Sequence, residues 1–361
     1  MKNIVYIGRY NGIVGGIERY MQKSAEVLRR NGFCVHYFYT ENGGRVQEEF
    51  ALAFDFISVL SLDNIETFQN ADIVIIHNII SVDFLQILPK DKTFFFAHDH
   101  NIYCRRHHYY TPFGRKNCHR KYHALRCFLC SLGCNEAPPL AEYRKLPALV
   151  LSDFMAENLR KNGFNKVFKL PAFIQTKESQ KTFMPDGVLR ILFLGQLIRG
   201  KGADLMIKSL AKIAIPFHCT IAGDGNDRTM LEKMVMRYNL HDKVHFTGFV
   251  SNPETLWANC DVFCFPIRWQ EPFGLVGLEA LAHGVPVVAF DKGGVREWLL
   301  DTRNGFAVME YGNMEKAFEV LAQNHDNILQ KMSECGKKIV VEKFSEENFL
   351  VAFNNLCEVV K

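Results

Sequence analysis

Two glutamates in the second half of the chain have the type and spacing to hold a sugar nucleotide. Glu271 lies in the turn Glu271-Pro-Phe-Gly-Leu275, and Glu279 lies eight residues later on a predicted helix. A carboxylate repels phosphate but accepts two hydroxyl hydrogen bonds at once, so each glutamate is suited to sugar hydroxyls. The unpaired amides at the start of the helix suit phosphate, because the helix dipole is positive there. The alternative is a surface loop acid and a solvated helix acid.

Two cations lie in a second loop. A strand predicted over residues 190–194 runs into Gly195-Gln-Leu-Ile-Arg-Gly-Lys-Gly202, which contains Arg199 and Lys201. Ligands of a parallel sheet bind at the carboxyl ends of its strands, where this loop is expected. Cations there can neutralise a diphosphate leaving group as its bond to a sugar breaks. The alternative is a pair of solvated loop cations.

Histidines follow two apolar strand patterns of the first half. His77 follows Ile73-Val-Ile-Ile76, and His98 follows Phe94-Phe-Phe-Ala97. A histidine at the end of a strand can donate to a substrate oxygen or relay a proton. From the residues alone, the alternative for both is a hydrogen-bonded histidine at a sheet edge.

A glycine-rich loop with Gly15 and Gly16 lies between the first predicted strand, residues 3–7, and a predicted helix over residues 17–30. Strand, glycine loop and helix together can cradle an anion. The loop is not a GxGxxG fingerprint and no P-loop lysine follows it, which disfavours nicotinamide and ATP. The alternative is a tight turn that needs a positive φ.

Strand patterns alternate with helical segments along the whole chain, which predicts an α/β protein with parallel sheets wrapped by helices. The polar stretch 175–187 lacks hydrophobic periodicity and is predicted to be an interdomain linker. It separates a first domain, residues 1–174, from a second, residues 188–343. An amphipathic helix is predicted over residues 344–361.

The composition is that of an ordinary globular protein. The chain has 361 residues, of which 48% are hydrophobic and 23% charged. No apolar run approaches the roughly 18 residues that span a bilayer, and the start reads as a strand, so a cytoplasmic location is expected. A net charge of +4 is too small to imply nucleic acid. Eleven cysteines favour a reducing compartment with free or metal-bound thiols.

Five of these cysteines lie between residues 98 and 134. Cys127 and Cys130 have the C-x2-C spacing of a zinc knuckle, and Cys104 and Cys118, or one of them with Cys134, could complete four ligands. A structural zinc is one interpretation, and reduced, unligated thiols are the other. Neither gives the segment a catalytic role.

The same segment is basic and aromatic. It has seven Lys or Arg residues against Asp99 alone, with tyrosines and phenylalanines between them. One interpretation is a surface that meets anionic headgroups, as in peripheral contact with the cytoplasmic face of a membrane, or a lipid diphosphate acceptor. Nucleic acid is a weaker interpretation because no recognition fold is evident. A solvated loop is the remaining alternative.

The motif Glu-Pro-Phe-Gly-Leu-x3-Glu-Ala, with the following Gly284-Val-Pro-Val-Val288, resembles the two-glutamate signature of retaining glycosyltransferases, family 4 in particular. The resemblance covers nearly the whole chain. It implies the GT-B architecture, two Rossmann-like doubly wound domains facing each other across a cleft, with the last helix packed back on the first domain. It also implies transfer of a sugar from a UDP or GDP sugar to a glycan or lipid-linked acceptor in surface polysaccharide biosynthesis. No cofactor is required for catalysis.

The resemblance implies a role for each candidate residue. Glu271 holds hydroxyls of the donor sugar, Glu279 holds the ribose, and Lys201 with Arg199 holds the diphosphate. His98 lies beside the reacting sugar. Gln196 stands where the family has an arginine, and Arg199 is the candidate replacement. The remaining residues predicted at the donor site are Gly15, Gly16, Gly248, Phe249, Phe273, Gly274 and Leu275.

Two other functions stay open at this point. A nucleotide-sugar epimerase or hydrolase would share the same fold and donor site, and product analysis with and without an acceptor separates it. A non-catalytic metal-binding interaction protein would be built around the cysteine segment, and stoichiometric zinc without donor binding would favour it.

Overall fold

A computed structural model describes residues 2–111, 116–131, 137–174, 181–309, 314–323 and 325–359. The chain divides into two compact units. The first comprises Met1–Ala172 with Glu346–Lys361, and the second comprises Phe173–Ser345. Residues 175–180 of the predicted linker lie outside the described residues, so the linker stays a prediction.

The first unit contains a seven-stranded parallel sheet. Its strands are β1 (Lys2–Tyr10), β2 (Phe33–Glu41), β3 (Phe56–Val59), β4 (Ile73–Ile76), β5 (Thr93–Phe96), β6 (Ala148–Val150) and β7 (Val167–Lys169). They lie in the order β3-β2-β1-β4-β5-β6-β7. The winding direction therefore reverses between β1 and β4, the place where ligands bind in open α/β sheets.

The second unit repeats this plan with six parallel strands. They are β8 (Leu189–Leu194), β9 (Phe217–Ala222), β10 (Val244–Gly248), β11 (Val262–Phe265), β12 (Val287–Phe290) and β13 (Gly305–Val308). Their order is β10-β9-β8-β11-β12-β13, so the reversal lies between β8 and β11. Two Rossmann-like doubly wound sheets confirm the fold class predicted from the sequence.

Helices connect the strands of each sheet. In the part of the first unit that precedes the second unit in the sequence, the helices are α1 (Gly16–Arg30), α2 (Gln47–Ala51), α3 (Ile65–Asn70), α4 (Val82–Ile87), α5 (Ala124–Ser131), α6 (Leu140–Tyr143) and α7 (Asp153–Lys161). Those that follow are α8 (Ala203–Leu210), α9 (Arg228–Arg237), α10 (Glu254–Ala258), α11 (Leu275–Ala282), α12 (Met314–Gln323), α13 (His325–Lys343) and α14 (Glu346–Val359). None of the helices in the described part of the chain is long and apolar enough to cross a membrane.

The inner strands are buried on both faces, which explains their continuous apolar sequences. All four residues of β4, β5, β11 and β12 are buried. A parallel strand covered by helices on both sides carries apolar residues without alternation, as in Ile73-Val-Ile-Ile76. This is the pattern that identified the strands in the sequence.

Strand β13 was not expected from the sequence. It pairs with β12 in parallel, with Val287 opposite Gly305. A Cβ atom on Gly305 would lie 2.0 Å from the carbonyl oxygen of Val287, so the glycine is required by the close approach of its neighbour. The sequence there indicated only a turn, because a four-residue edge strand with a glycine carries little strand signal.

The last helix, α14, belongs to the first unit. Phe353 is fully buried and meets the ring of Phe33 edge-on, with 5.5 Å between the ring centroids. Arg30 at the end of α1 forms an ion pair with Glu346, with 3.1 Å between nitrogen and oxygen. The chain therefore leaves the first unit after Ala172 and returns to complete it at Glu346.

Candidate functional site

The loops after β8 and β11 are held together at the point where the second sheet reverses. The amide of Arg268 donates to the carbonyl of Gly200 at 2.8 Å, and its guanidinium donates to the carbonyl of Arg199. The same guanidinium pairs with Asp204 at the start of α8. Arg268 is buried and bonded on several sides, so it fixes the two loops against each other.

This arrangement brings Lys201 and Glu271 together. The Nζ atom of Lys201 lies 3.4 Å from Oε2 of Glu271, and both side chains are mostly buried. Nε1 of Trp269 donates to the same carboxylate oxygen at 3.2 Å, and the Lys201 ammonium lies over the Trp269 ring. Glu271 is therefore oriented by two donors, and its negative charge is paired with the positive charge of Lys201.

The sequence reasoning did not identify Trp269. Its ring packs against the bare backbone of Gly200, where an added Cβ atom would lie 1.7 Å from a ring carbon. A glycine between two candidate cations, with a tryptophan two residues before the turn glutamate, was the available signal. This signal could not be interpreted from the sequence, because the contact forms between two loops that are 70 residues apart.

The turn that carries Glu271 is braced by two glycines from the loop after β12. The amide of Gly294 donates to the carbonyl of Glu271 at 2.7 Å. A Cβ atom on Gly293 would lie 2.2 Å from the same carbonyl oxygen. Gly274 then takes a left-handed conformation, with φ of 88°, and forms the N-cap of α11.

Trp298 packs against the same turn, and the sequence reasoning missed it as well. It is fully buried, and its Nε1 donates to the carbonyl of Phe273 at 2.7 Å. Its ring occupies the space beside Gly277 in α11, where a Cβ atom would lie 2.2 Å from a ring carbon. Asn304 in turn donates to the carbonyl of Trp298. The position of the α11 N-terminus thus depends on one indole ring.

Other predicted donor-site residues lie in the loop after β8 and in α11. Leu275 is the first residue of α11, and Glu279 lies one turn later, half-buried. Gln196 and Arg199 lie in the loop after β8, and both side chains are exposed. The loop and the helix start therefore place amides, cations and carboxylates at one end of the second sheet.

Gly248 and Phe249, predicted beside the nucleotide base, lie at the end of β10. Gly248 has a φ of 73°, and its carbonyl accepts from the amide of Gly223 after β9. The side chain of Phe249 is 53% exposed. An exposed aromatic ring at the carboxyl edge of the sheet is available for stacking.

In the first unit, His77 and His98 follow the neighbouring strands β4 and β5 and touch each other. Nδ1 of His77 lies 2.8 Å from Nε2 of His98, and the rings are stacked at 18° to one another. Burial lowers the pKa of His98 to about 3. Burial, and then His98 itself, holds the pKa of His77 well below its usual range. Both imidazoles are therefore neutral at pH 7.

The glycine loop of the first unit contains a carboxylate that the sequence reasoning did not weigh. Gly15 is the N-cap of α1 and Gly16 its first residue. The amide of Gly15 donates to Oε2 of the buried Glu18 at 2.9 Å. This carboxylate at the helix N-terminus competes with any anion for the same amides.

The predicted zinc ligands Cys104, Cys118, Cys127 and Cys130 are half-buried cysteines. Across the described ranges, no three His, Cys, Asp or Glu side chains are grouped so that they could hold a metal ion. Burial raises the pKa of the Cys104 and Cys130 thiols. Cys134 lies outside the described residues, and the structural zinc stays a prediction.

The second half of the chain is similar to a known protein family. Residues 174–338 match the family model described as glycosyl transferases group 1. An uncharacterized glycosyltransferase of Methanocaldococcus jannaschii is 34% identical over 168 residues, 44% of this chain and 42% of that protein. The lipopolysaccharide core biosynthesis glycosyltransferase LpsE of Rhizobium meliloti is 29% identical, over 46% of this chain and 48% of that one. The chain thus spans less than half the length of either relative.

Solved structures match the full length of the chain. The crystal structure of Anabaena HepE in complex with UDP has a TM-score of 0.74 at 16% identity and covers 100% of this chain and 99% of its own. A Staphylococcus aureus TarM variant bound to UDP has a TM-score of 0.76 at 13% identity, covering 99% and 100%. At these identities the likeness shows the fold, which is that of the GT-B glycosyltransferases.

Proposed function

We propose that this chain is a retaining glycosyltransferase that moves a sugar from a nucleoside diphosphate sugar to a glycan or lipid-linked acceptor. The observation that carries the proposal is the contact between Lys201 and Glu271 at the reversal point of the second sheet. The match to group 1 glycosyl transferases over the same unit supports it. The related LpsE, named for lipopolysaccharide core biosynthesis, supports surface glycan assembly as the setting.

In this proposal the second unit holds the donor by charge and hydrogen bonding. Lys201, helped by the exposed Arg199, neutralises the diphosphate, and the amides at the start of α11 bind its oxygens. Glu271 accepts hydrogen bonds from the transferred sugar, and Glu279 accepts them from the ribose. Trp269 donates to one oxygen of Glu271 and so keeps that carboxylate in place when Lys201 turns to the phosphates.

The reaction we propose exchanges one bond at the anomeric carbon for another on the same face. The bond from the sugar to the phosphate oxygen breaks, and the electron pair leaves with the diphosphate. The acceptor oxygen forms the new bond, and its proton passes to the departing phosphate. The cations stabilise the charge that develops on the leaving group. The acceptor oxygen itself attacks the anomeric carbon, so the step uses no carboxylate nucleophile.

Among nucleoside diphosphate sugars, we propose that the donor is a UDP sugar. The related HepE and TarM structures were both solved with UDP. Phe249, exposed at the end of β10, supplies a ring for the base. GDP sugars are the competing donors, and the two are compared in the experiment below.

The test is sugar transfer by purified protein with UDP and GDP sugars, comparing wild type with Lys201→Ala and Glu271→Gln. We expect each variant to lose at least about a hundredfold in kcat/KM, the scale for removing one group that stabilises a transition state. Lys212→Ala, which removes an exposed ion pair with Glu315 in the same unit, is the matched control and should be unaffected. Near-normal transfer by either site variant would refute the assignment.

Product analysis separates the neighbouring reactions. With acceptor present, a transferase attaches the sugar and releases the nucleoside diphosphate. An epimerase returns an altered nucleotide sugar, and a hydrolase releases free sugar at the same rate whether or not acceptor is added. Either of the last two results would replace transfer as the function.

We also propose that α5 makes peripheral contact with the anionic cytoplasmic face of a membrane. Leu125, Phe128 and Leu129 lie three and four residues apart, on one helix face, and are 63%, 48% and 60% exposed. The guanidinium of Arg105 lies over the Phe128 ring at 5.2 Å. Apolar side chains flanked by cations suit the headgroup boundary, where a lipid-linked acceptor is held.

A further inference from the structure

The histidine pair of the first unit contains a buried polar atom without a partner. His77 is 2% exposed, and its Nδ1 lies 2.8 Å from Nε2 of His98. Its other ring nitrogen, Nε2, is buried and has no hydrogen-bond partner among the described residues. The ring is held in place by Tyr6 at its edge and by Phe96, on which it stacks. The hydroxyl of Tyr6 donates to Ser24 and is not aimed at the imidazole.

The orphaned nitrogen decides where the protons lie. A neutral imidazole carries one N–H, so the contact between the rings has one donor and one acceptor. If His98 donated from Nε2, His77 would carry its proton on Nε2, as a buried N–H with no acceptor. If His77 donates from Nδ1, its Nε2 carries only a lone pair. An orphaned buried donor is the rarer of the two in folded proteins, so the second arrangement is favoured.

The tautomer of His77 then sets that of His98. When Nε2 of His98 accepts from His77, the single proton of His98 must be on Nδ1. The ring of His98 stacks on Phe96 at 4.2 Å between centroids and meets Tyr20 edge-on, so its orientation is fixed as well. His98 is partly exposed, whereas His77 is sealed from solvent.

We propose that His77 is a positioning residue that holds His98 as its Nδ1–H tautomer, so that His98 meets the substrate as a hydrogen-bond donor and not as a base. This role rests on the proposed function only in naming the recipient, an oxygen of the transferred sugar or of the acceptor. The proton arrangement itself is a property of the free protein. A donor stabilises an oxygen that gains negative charge, whereas a base would take a proton from the acceptor.

The direct test is the protonation of the ring nitrogens in the full-length protein without ligand. Nitrogen-15 NMR distinguishes a protonated ring nitrogen from an unprotonated one, and the His77→Phe and His98→Phe variants assign the signals. We expect a proton on Nδ1 of His98 and on Nδ1 of His77. A proton on Nε2 of His98 would overturn the proposal, whatever the enzyme is found to do.

Kinetics test the positioning role separately. His77→Phe keeps a ring but removes the donor, while His77→Asn places an amide N–H near the position of Nδ1. We expect His77→Phe to lower kcat about tenfold, the effect of losing one hydrogen bond, with little change in KM for the donor. His77→Asn should restore part of kcat. His36→Phe, at a half-buried histidine of the first unit outside this pair, is the control.

The outcomes separate this inference from the proposed function. If the protein transfers sugar but His77→Phe and His77→Asn lose kcat equally, packing and not the proton arrangement is responsible, and the positioning role fails. If no sugar is transferred by the wild type but the predicted tautomers are found, the proposed function fails and the proton assignment stands. Equal melting temperatures of the variants exclude simple unfolding as the cause of lost activity.

Discussion

Individual side chains of this chain gain their properties from partners that are distant in sequence. The pKa of His98 is lowered by the residues that bury it, and Asp99 beside it has its pKa raised by burial to about 6. The sequence identified His98 through the family resemblance, because the His98-Asp99 pair follows an apolar strand as in the family's active site. It placed His77 with the ordinary sheet-edge histidines, because the contact between the two rings exists only once β4 and β5 are adjacent.

The buried histidines should make the protein sensitive to acid. Both take up a proton when unfolded at the usual pKa near 6.5 but resist it when folded, so the unfolded state binds more protons between about pH 6.5 and pH 3. The free energy of unfolding should therefore fall as pH drops through this window, by about 1.4 kcal/mol per pH unit for each proton. Asp99 opposes this between about pH 4 and 6, since its folded form is the more protonated.

Urea unfolding between pH 4 and pH 7 measures this effect. His98→Phe should flatten the dependence of the free energy of unfolding on pH, and Asp99→Asn should steepen it by removing the opposing group. A wild-type stability that does not change across this range would contradict the burial of neutral histidines.

At the scale of elements, the sequence predicted those strands and helices whose pattern is local. β4 and β11 were found because continuous apolar runs of four or five residues are typical of buried parallel strands. β13 was missed because its identity comes from pairing with β12. In the proposed donor site the turn and its glutamates were visible in the sequence, but the indole of Trp298, which supports the turn, was not. The Trp298 ring contacts segments that are distant in sequence, so no sequence periodicity predicts these contacts.

The support of α11 by Trp298 gives a test of packing. Gly277→Ala should destabilise the protein by about 1–3 kcal/mol, although alanine is the better helix former, because the new Cβ atom overlaps the indole ring. Combining it with Trp298→Leu should cost less than the sum of the two single changes. Urea unfolding followed by circular dichroism measures all three.

A second glycine serves as the control for this cycle. Gly336 lies within α13, where an added Cβ atom would lie 3.0 Å from the end of the Leu281 side chain and at ordinary contact distance, 3.6 and 3.7 Å, from the Cβ and carbonyl oxygen of Leu281. Gly336→Ala should therefore be close to neutral. Additive effects of Gly277→Ala and Trp298→Leu would show that the ring and the helix are not coupled.

At the scale of the whole molecule, each unit has its own sheet and its own buried core. The alternation of strands and helices predicted parallel sheets wrapped by helices, because that architecture follows from the order of elements. The division into two doubly wound domains came from the resemblance to the glycosyltransferase family. The basic, aromatic segment was also visible in the sequence. What the structure adds is that three of its apolar side chains are exposed on one face of α5.

Membrane contact by this face is tested by sedimentation with lipid vesicles. We expect the protein to bind vesicles that contain phosphatidylglycerol and not pure phosphatidylcholine, with binding weakened by salt because charge contributes. The double variant Leu125→Ser, Leu129→Ser should bind at least about tenfold more weakly, since two buried leucines each contribute more than 1 kcal/mol. Leu52→Ser, at a leucine of the first unit that is 77% exposed, is the control. Unchanged binding by the double variant would exclude this face.

The return of α14 to the first unit has a consequence for biosynthesis. A ribosome makes the chain from its N-terminus, and domains usually fold as units in that order. Here the first unit lacks Phe353 and Glu346, the partners of Phe33 and Arg30, until the final helix has left the ribosome. The second unit, made later, has all its strands before that moment. The first unit is therefore completed only after the second.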